Sequence, residues 1–205
     1  MILPDNQTNR ELVAKTVASG GLVAFRTDTF YGLGADPLNS RAVQRVMDLK
    51  GQERKPILLL ISDSHEIFRF LATTSKTFQL AAKTFWPGPL TIVAEALPQI
   101  SPKLTARAGT IGLRLPAGDD LRALIRRCGG ALTATSANPS GDTPARSARE
   151  VGDYFPAGLD VILDGGPTEA SAASTVLDVS QSTPRIIREG VISRARLEEV
   201  LGGVG

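Results

Sequence analysis

Apolar positions along the chain switch repeatedly between a helical period and short runs too brief for a helix. Thr8 and Glu11 stand at capping-box spacing, Leu12, Val13 and Val17 follow on one side, and Gly20-Gly21 supplies a stop, which predicts a helix over residues 9–19. Leu22 to Phe25 then predicts a strand, and Arg26 to Gly34, polar and carrying two glycines, a loop at its end. Ser40 is placed to cap a helix whose Val43, Val46, Met47 and Lys50 share a face, and Ile57 to Ile61 predicts the next strand. Helical spacing returns at Ile67, Phe68 and Leu71 and at Phe78, Ala82 and Phe85, before a break at Trp86-Pro87-Gly88-Pro89.

Beyond the break, Leu90 to Ala94, Thr110 to Leu115 and Ala131 to Thr135 predict strands, with a helix face at Leu121, Leu124, Ile125 and Cys128 between the last two. A short helix at Val151 to Phe155 and strands at Val161 to Leu163, Thr175 to Val179 and Arg185 to Ile187 follow. Ser193 caps a last helix bearing Leu197, Val200 and Leu201. About five helices and seven or more strands, with no repeat or long linker, predict one α/β domain over residues 1–205, built on a twisted mixed sheet with flanking helices.

Composition narrows the class. The 205 residues are 42% hydrophobic and 21% charged, an ordinary globular balance, and no apolar run reaches the ~20 residues of a membrane span. One cysteine, Cys128, and one histidine, His65, leave neither an internal disulfide nor a His/Cys zinc set. No basic-then-apolar leader opens the chain, so the expected location is the cytoplasm, without a membrane partner. Net charge is only +2, but it is uneven. Glu150 to Pro184 holds six carboxylates and no Lys or Arg, whereas Lys103 to Arg127 holds six cations against Asp119 and Asp120.

Five segments set Ser, Thr, Arg or Lys beside Gly or Pro at the end of an apolar stretch, where side chains can converge on one crevice. Thr27-Asp28-Thr29-Phe30-Tyr31-Gly32-Leu33-Gly34 offers hydroxyls and a closely approachable backbone, and is equally a plain turn; it is neither a Walker loop nor a dinucleotide fingerprint. Lys50-Gly51-Gln52-Glu53-Arg54-Lys55 reads as a triphosphate clamp or as cations complementing a helix C-terminus. In Thr110-Ile111-Gly112-Leu113-Arg114 the two-residue period puts Thr110, Gly112 and Arg114 on one face, with Arg114 either in a site or in solvent. Ser136-Ala137-Asn138 suits a nucleotide or an ordinary turn, and Ser174 and Arg188 fall near the ends of a hairpin.

Taken in order over residues 8–201, these segments and Trp86-Pro87-Gly88-Pro89-Leu90-Thr91 resemble the YrdC-like threonylcarbamoyl-adenylate synthases. The resemblance implies a single α/β domain around a positively lined cavity. It also implies a nucleotidyltransferase that makes threonylcarbamoyl-AMP and pyrophosphate from L-threonine, bicarbonate and ATP, for threonylcarbamoyladenosine at tRNA position 37. It further implies that Thr29, Arg114 and Ser174 hold threonine, that Lys50, Arg54, Thr110, Ser136, Asn138 and Arg188 hold ATP, and that Lys50 and Arg114 are catalytic. Mg²⁺ accompanies ATP as cofactor, with no protein metal site, and tRNA and downstream threonylcarbamoyl-transfer proteins are the implied partners. Two positions depart from the family pattern: Gln52 follows Lys50-Gly51 where the family has arginine, displacing it to Arg54, and Pro144 stands where many relatives have a hydroxyl. The competing readings are a structured-RNA module using Lys103, Arg107, Arg122, Arg126 and Arg127, and a catalytically diverged paralogue.

Overall fold

The computed structural model describes residues 1–51, 56–170 and 172–205. In chain order its elements are β1 (Ile2–Pro4), α1 (Gln7–Ala18), β2 (Val23–Arg26), β3 (Tyr31–Gly34), α2 (Ser40–Lys50), β4 (Leu59–Ile61), a 3-10 turn (Ser64–Arg69) and α3 (Lys76–Phe85). Then come β5 (Leu90–Glu95), β6 (Thr110–Arg114), α4 (Asp119–Arg127), β7 (Ala131–Thr133), β8 (Thr135–Ser136), α5 (Ala148–Tyr154), β9 (Val161–Asp164), β10 (Thr175–Asp178), β11 (Arg185–Arg188) and α6 (Arg194–Leu201).

The strands form two sheets rather than the one expected. One runs β1-β9-β2-β3-β8, the other β11-β10-β5-β6-β4-β7, and each mixes parallel with antiparallel pairs. The step between them is Ala134: β7 pairs antiparallel with β4, whereas β8, one residue further on, pairs antiparallel with β3. The apolar run Ala131–Thr135 therefore reads as one strand in sequence but is two short strands in different sheets. Cross-links fasten the seam, with Thr133 N–H donating to the Ala35 carbonyl at 3.0 Å, Ala35 N–H to Thr133 Oγ1 at 2.9 Å, and Ala134 N–H to the Leu58 carbonyl at 2.9 Å.

Burial explains the apolar runs. Leu59 and Ile61 of β4 pack with α2, α3 and α6 in the largest core cluster, while Leu60 faces α1 and α4 in a second. A strand covered on both faces shows no polar alternation, which is why Leu58-Leu59-Leu60-Ile61 is continuous. In the same way Val23 and Phe25 of β2 face α1 and α4, whereas Ala24 joins Tyr31, Val151 and Phe155 under α5. At ~25 cal/mol per Å² of apolar area, side chains such as Phe25, Phe78 and Leu113 each contribute roughly 1.5–3 kcal/mol to holding these layers together.

Several element ends differ from expectation for local reasons. Asn6, not Thr8, caps α1 by accepting from Asn9 N–H, and Asn39 rather than Ser40 caps α2. Tyr31–Gly34 is a strand, not a loop, because pairing with β2 and β8 satisfies its backbone. Ile67 and Phe68 lie in the 3-10 turn, where Phe68 is exposed. Ordered chain extends outside residues 8–201: β1 pairs with β9, and the Gly205 carbonyl accepts from Ile186 N–H.

Candidate functional site

A cavity of about 370 Å³ opens where β3, β8 and the ends of α2 and β6 meet the hairpin β10–β11. Its volume lies in the range of small-molecule sites. Seven of the nine expected residues line it: Thr29, Lys50, Arg114, Ser136, Asn138, Ser174 and Arg188. They come from five separate stretches of chain. Thr110 does not line it; it opens β6 opposite Glu95, at the other end of the strand from Arg114. Arg54 lies outside the described residues, as does Gln52.

Each lining side chain is held by something specific. Lys50 closes α2 because Gly51 takes the left-handed conformation, φ 61°, that ends the helix and turns the chain away. Its ammonium is buried and donates at 2.7 Å to the carbonyls of both Ser136 and Asn138. The Asn138 amide in turn donates to the carbonyls of Pro139 (2.7 Å) and Asp142 (2.8 Å), so lysine and asparagine together fix the turn that presents Ser136. Thr29 is buried beside Thr27, with 3.0 Å between the hydroxyl oxygens, and Thr29 N–H donates to Thr27 Oγ1.

Arg114 is the central feature. It is 3% exposed, and its Nη2 donates to Asp28 Oδ1 at 2.9 Å, but Nε and Nη1 are buried with no acceptor among the described residues. Burial lowers the affinity of this guanidinium for its proton, Asp28 opposes that, and the charge of Arg188 adds to it. Arg188 reaches in from β11, where Nη2 donates to the Ser174 carbonyl at 2.9 Å and approaches Ser174 Oγ at 3.3 Å; burial lowers its pKa too. The hairpin closes this tightly because residue 190 is glycine: a Cβ there would lie 2.2 Å from the Ala173 carbonyl oxygen.

Three cations thus face one cavity whose described lining contains a single carboxylate, Asp142. Buried donors left unpaired cost about 1–3 kcal/mol each, more for charged groups, and an entering anion recovers that cost. The arrangement therefore selects an anionic ligand, and the hydroxyls of Thr29, Ser136 and Ser174 add directional contacts.

The family model for Sua5/YciO/YrdC, described as telomere recombination, matches residues 15–190. The chain belongs to this family. A threonylcarbamoyl-AMP synthase of Pyrococcus abyssi is 33% identical over 197 residues, covering 94% of this chain and 57% of that protein. One from Thiobacillus denitrificans is 37% identical over 170 residues, covering 82% of this chain and 89% of its own. The solved structure of P. abyssi Sua5 complexed with L-threonine superimposes with a TM-score of 0.93 at 30% identity, over all of this chain and 62% of that one. The chain thus spans somewhat over half the length of its Pyrococcus relative.

Residues outside the expected set support or complete the site, and Thr91 does so without lining the cavity. Thr91, buried on β5, shares a hydrogen bond of 3.0 Å with Ser174 Oγ; its signal in sequence was its place at the end of Trp86-Pro87-Gly88-Pro89-Leu90-Thr91. Tyr31 lines the cavity, while its hydroxyl donates to the Gly166 carbonyl at 2.8 Å; burial first, and Asp164 second, push its pKa up to about 12. Pro144 also lines the cavity, where it presents no hydroxyl. The basic stretch is partly paired off. Arg122 pairs with Asp119 and donates to the Pro116 and Ala117 carbonyls, Arg126 pairs with Asp63 at 2.8 Å, and Lys103 and Arg107 border a separate depression beside Gln44 and Met47. Two of its five cations are therefore already neutralised, which weakens the phosphate-tracking reading. Among the described residues no helix is long and apolar enough to cross a membrane.

Proposed function

We propose that this chain is a threonylcarbamoyl-AMP synthase, a nucleotidyltransferase joining L-threonine, bicarbonate and ATP, in the cytoplasm, where ATP and tRNA meet. The observation that carries the reading is Arg114: a buried guanidinium with two nitrogens, Nε and Nη1, unpartnered among the described residues, in one cavity with Thr29, Ser174, Lys50 and Arg188. An amino-acid carboxylate satisfies such a group, and the threonine hydroxyl finds partners among the side chains around it. The threonine complex of the Pyrococcus relative supports the same ligand.

In this reading the threonine amine attacks the bicarbonate carbon to give a carbamate and water. A carbamate oxygen then attacks the α-phosphorus of ATP, and pyrophosphate leaves. Holding three anionic reactants together is the larger part of the work, and fixed cations in a water-poor cavity perform it. Arg114 takes the threonine carboxylate, Ser174 and Thr29 orient the amino acid, and Arg188 bridges toward the nucleotide. Lys50 holds the Ser136–Asn138 turn against the nucleotide and adds charge beneath it. Mg²⁺ fits as a metal carried in on the triphosphate, since this ion keeps most of its waters and binds mainly through phosphate oxygens, with Asp142 the one carboxylate in the described lining. Bound there, it would neutralise phosphate oxygens and the departing pyrophosphate. The product is reactive, so a downstream threonylcarbamoyl transfer to tRNA position 37 is its proposed use.

Pyrophosphate release tests the reading. It should require ATP, bicarbonate and L-threonine together, and release that continues undiminished without threonine refutes it.

A further inference from the structure

Among the described residues the one carboxylate that pairs with Arg114 is Asp28, which lies between two residues of the cavity lining, Thr27 and Thr29. It lines a second depression, with Asp119, Asp120, Asp164 and the apolar side chains of Leu121 and Leu124, and does not line the cavity itself. Its two carboxylate oxygens are divided between two donors: Oδ1 accepts from Arg114 Nη2 at 2.9 Å, and Oδ2 accepts from Ala117 N–H at 3.3 Å. The first contact pins one end of the guanidinium. The second pins the carboxylate to the chain just after β6, the strand that carries Arg114. Arg114 has no other side-chain acceptor among the described residues, so within the protein its orientation rests on this one group.

We propose that Asp28 is a positioning residue for the proposed threonine carboxylate subsite: by holding Nη2, it keeps the remaining N–H groups of Arg114 turned toward the cavity. The assignment rests on the reading of the cavity given above. Asp28 also offsets charge: Arg114 and Arg188 face the same space and repel each other, and a carboxylate at hydrogen-bond distance from Arg114 opposes that repulsion. Asparagine cannot replace it. An amide has one acceptor oxygen, so either Arg114 Nη2 or Ala117 N–H must then face an NH₂ group. Glutamate keeps both acceptors and the charge, with one added methylene.

The test compares the wild type with Asp28→Asn and Asp28→Glu in two measurements. The first is ligand-free: the ¹⁵N guanidinium resonances of Arg114, assigned by their loss in Arg114→Lys, should show slow N–H exchange in the wild type and in Asp28→Glu, and at least tenfold faster exchange in Asp28→Asn. The second is calorimetric. The Kd for L-threonine should rise tenfold or more in Asp28→Asn and stay within about threefold in Asp28→Glu, while the Kd for ATP measured alone changes less than twofold in either. Unchanged exchange and threonine affinity in Asp28→Asn overturn the positioning role, and so does equal weakening of threonine and ATP, which marks a general loss of structure. If the wild type binds no threonine while the exchange difference stands, the function proposed for the cavity fails and the orientation of Arg114 by Asp28 remains.

Discussion

Replacing Arg114 with methionine should change stability little while activity falls by orders of magnitude. The side chains are similar in length, so the packing of β6 is kept while the charge and all donors are lost. Among the described residues the guanidinium is buried with one anionic partner and two nitrogens without an acceptor. Exchange of a whole buried ion pair for apolar groups is commonly neutral or stabilising by about 1–4 kcal/mol, whereas removing one partner of a fully buried pair costs about 3–5 kcal/mol because the other charge is left unpaired. Here Asp28 loses its cation, but its side chain is 18% exposed and keeps the Ala117 N–H, which limits the penalty to about 1–2 kcal/mol. The net change should stay within about 2 kcal/mol in either direction. Activity has no such compensation. Two charge-assisted hydrogen bonds to a carboxylate contribute about 3–6 kcal/mol, which at ~1.4 kcal/mol per decade lowers kcat/KM for threonine by roughly 10²–10⁴. Urea denaturation of the ligand-free protein and steady-state pyrophosphate release measure the two quantities. A variant destabilised by more than about 3 kcal/mol with kcat/KM within threefold of wild type would falsify the view that Arg114 is kept for its ligand rather than for the fold.

Three further outcomes follow from the same contacts. Lys50→Met removes the donor shared by the Ser136 and Asn138 carbonyls and should cost about 3 kcal/mol in urea denaturation together with most ATP affinity; an unaltered midpoint refutes the clasp. Thr91→Val deprives Ser174 of a buried partner and should raise the threonine KM about three- to tenfold for roughly 1 kcal/mol of stability, whereas an unchanged KM means Ser174 does not depend on Thr91. Burial pushes the Cys128 thiol up to about 12, so the folded protein keeps it neutral at pH values where the unfolded chain, with a thiol near ~8.5, ionises. Its contribution to stability is therefore full below the unfolded value and lost as pH rises toward 12; Cys128→Ala should flatten the fall in urea midpoint above pH ~9, and native Cys128 should resist iodoacetamide at pH ~8.5, rapid labelling being the contrary result.

Most helices and most strands were legible because their residues report their own surroundings. Val43, Val46 and Met47 recur at helical spacing because α2 buries one face, and Leu59 to Ile61 is continuously apolar because β4 is covered on two. Seven of the nine candidate site residues meet in one cavity for a related reason: small hydroxyls, glycine and fixed cations at strand ends have little use in a core. Thr110 shares a face with Arg114 by the period of two, yet stands at the far end of the same strand, since the period assigns a face and says nothing of distance along it.

By itself, then, the sequence determined the alternation of elements, the buried faces and the residue types that gather anions, because each of these depends on a residue and its near neighbours in the chain. Tertiary structure alone decided that Ala131 to Ser136 crosses from one sheet to the other, that Thr91 reaches Ser174, and that Asp28 pairs with Arg114 while two guanidinium nitrogens stay without an acceptor among the described residues. Those facts join groups some 80 or more positions apart, as in the Asp28–Arg114 and Thr91–Ser174 contacts. No local pattern encodes such a contact, because sheet pairing and the packing of distant layers set the separation of the groups.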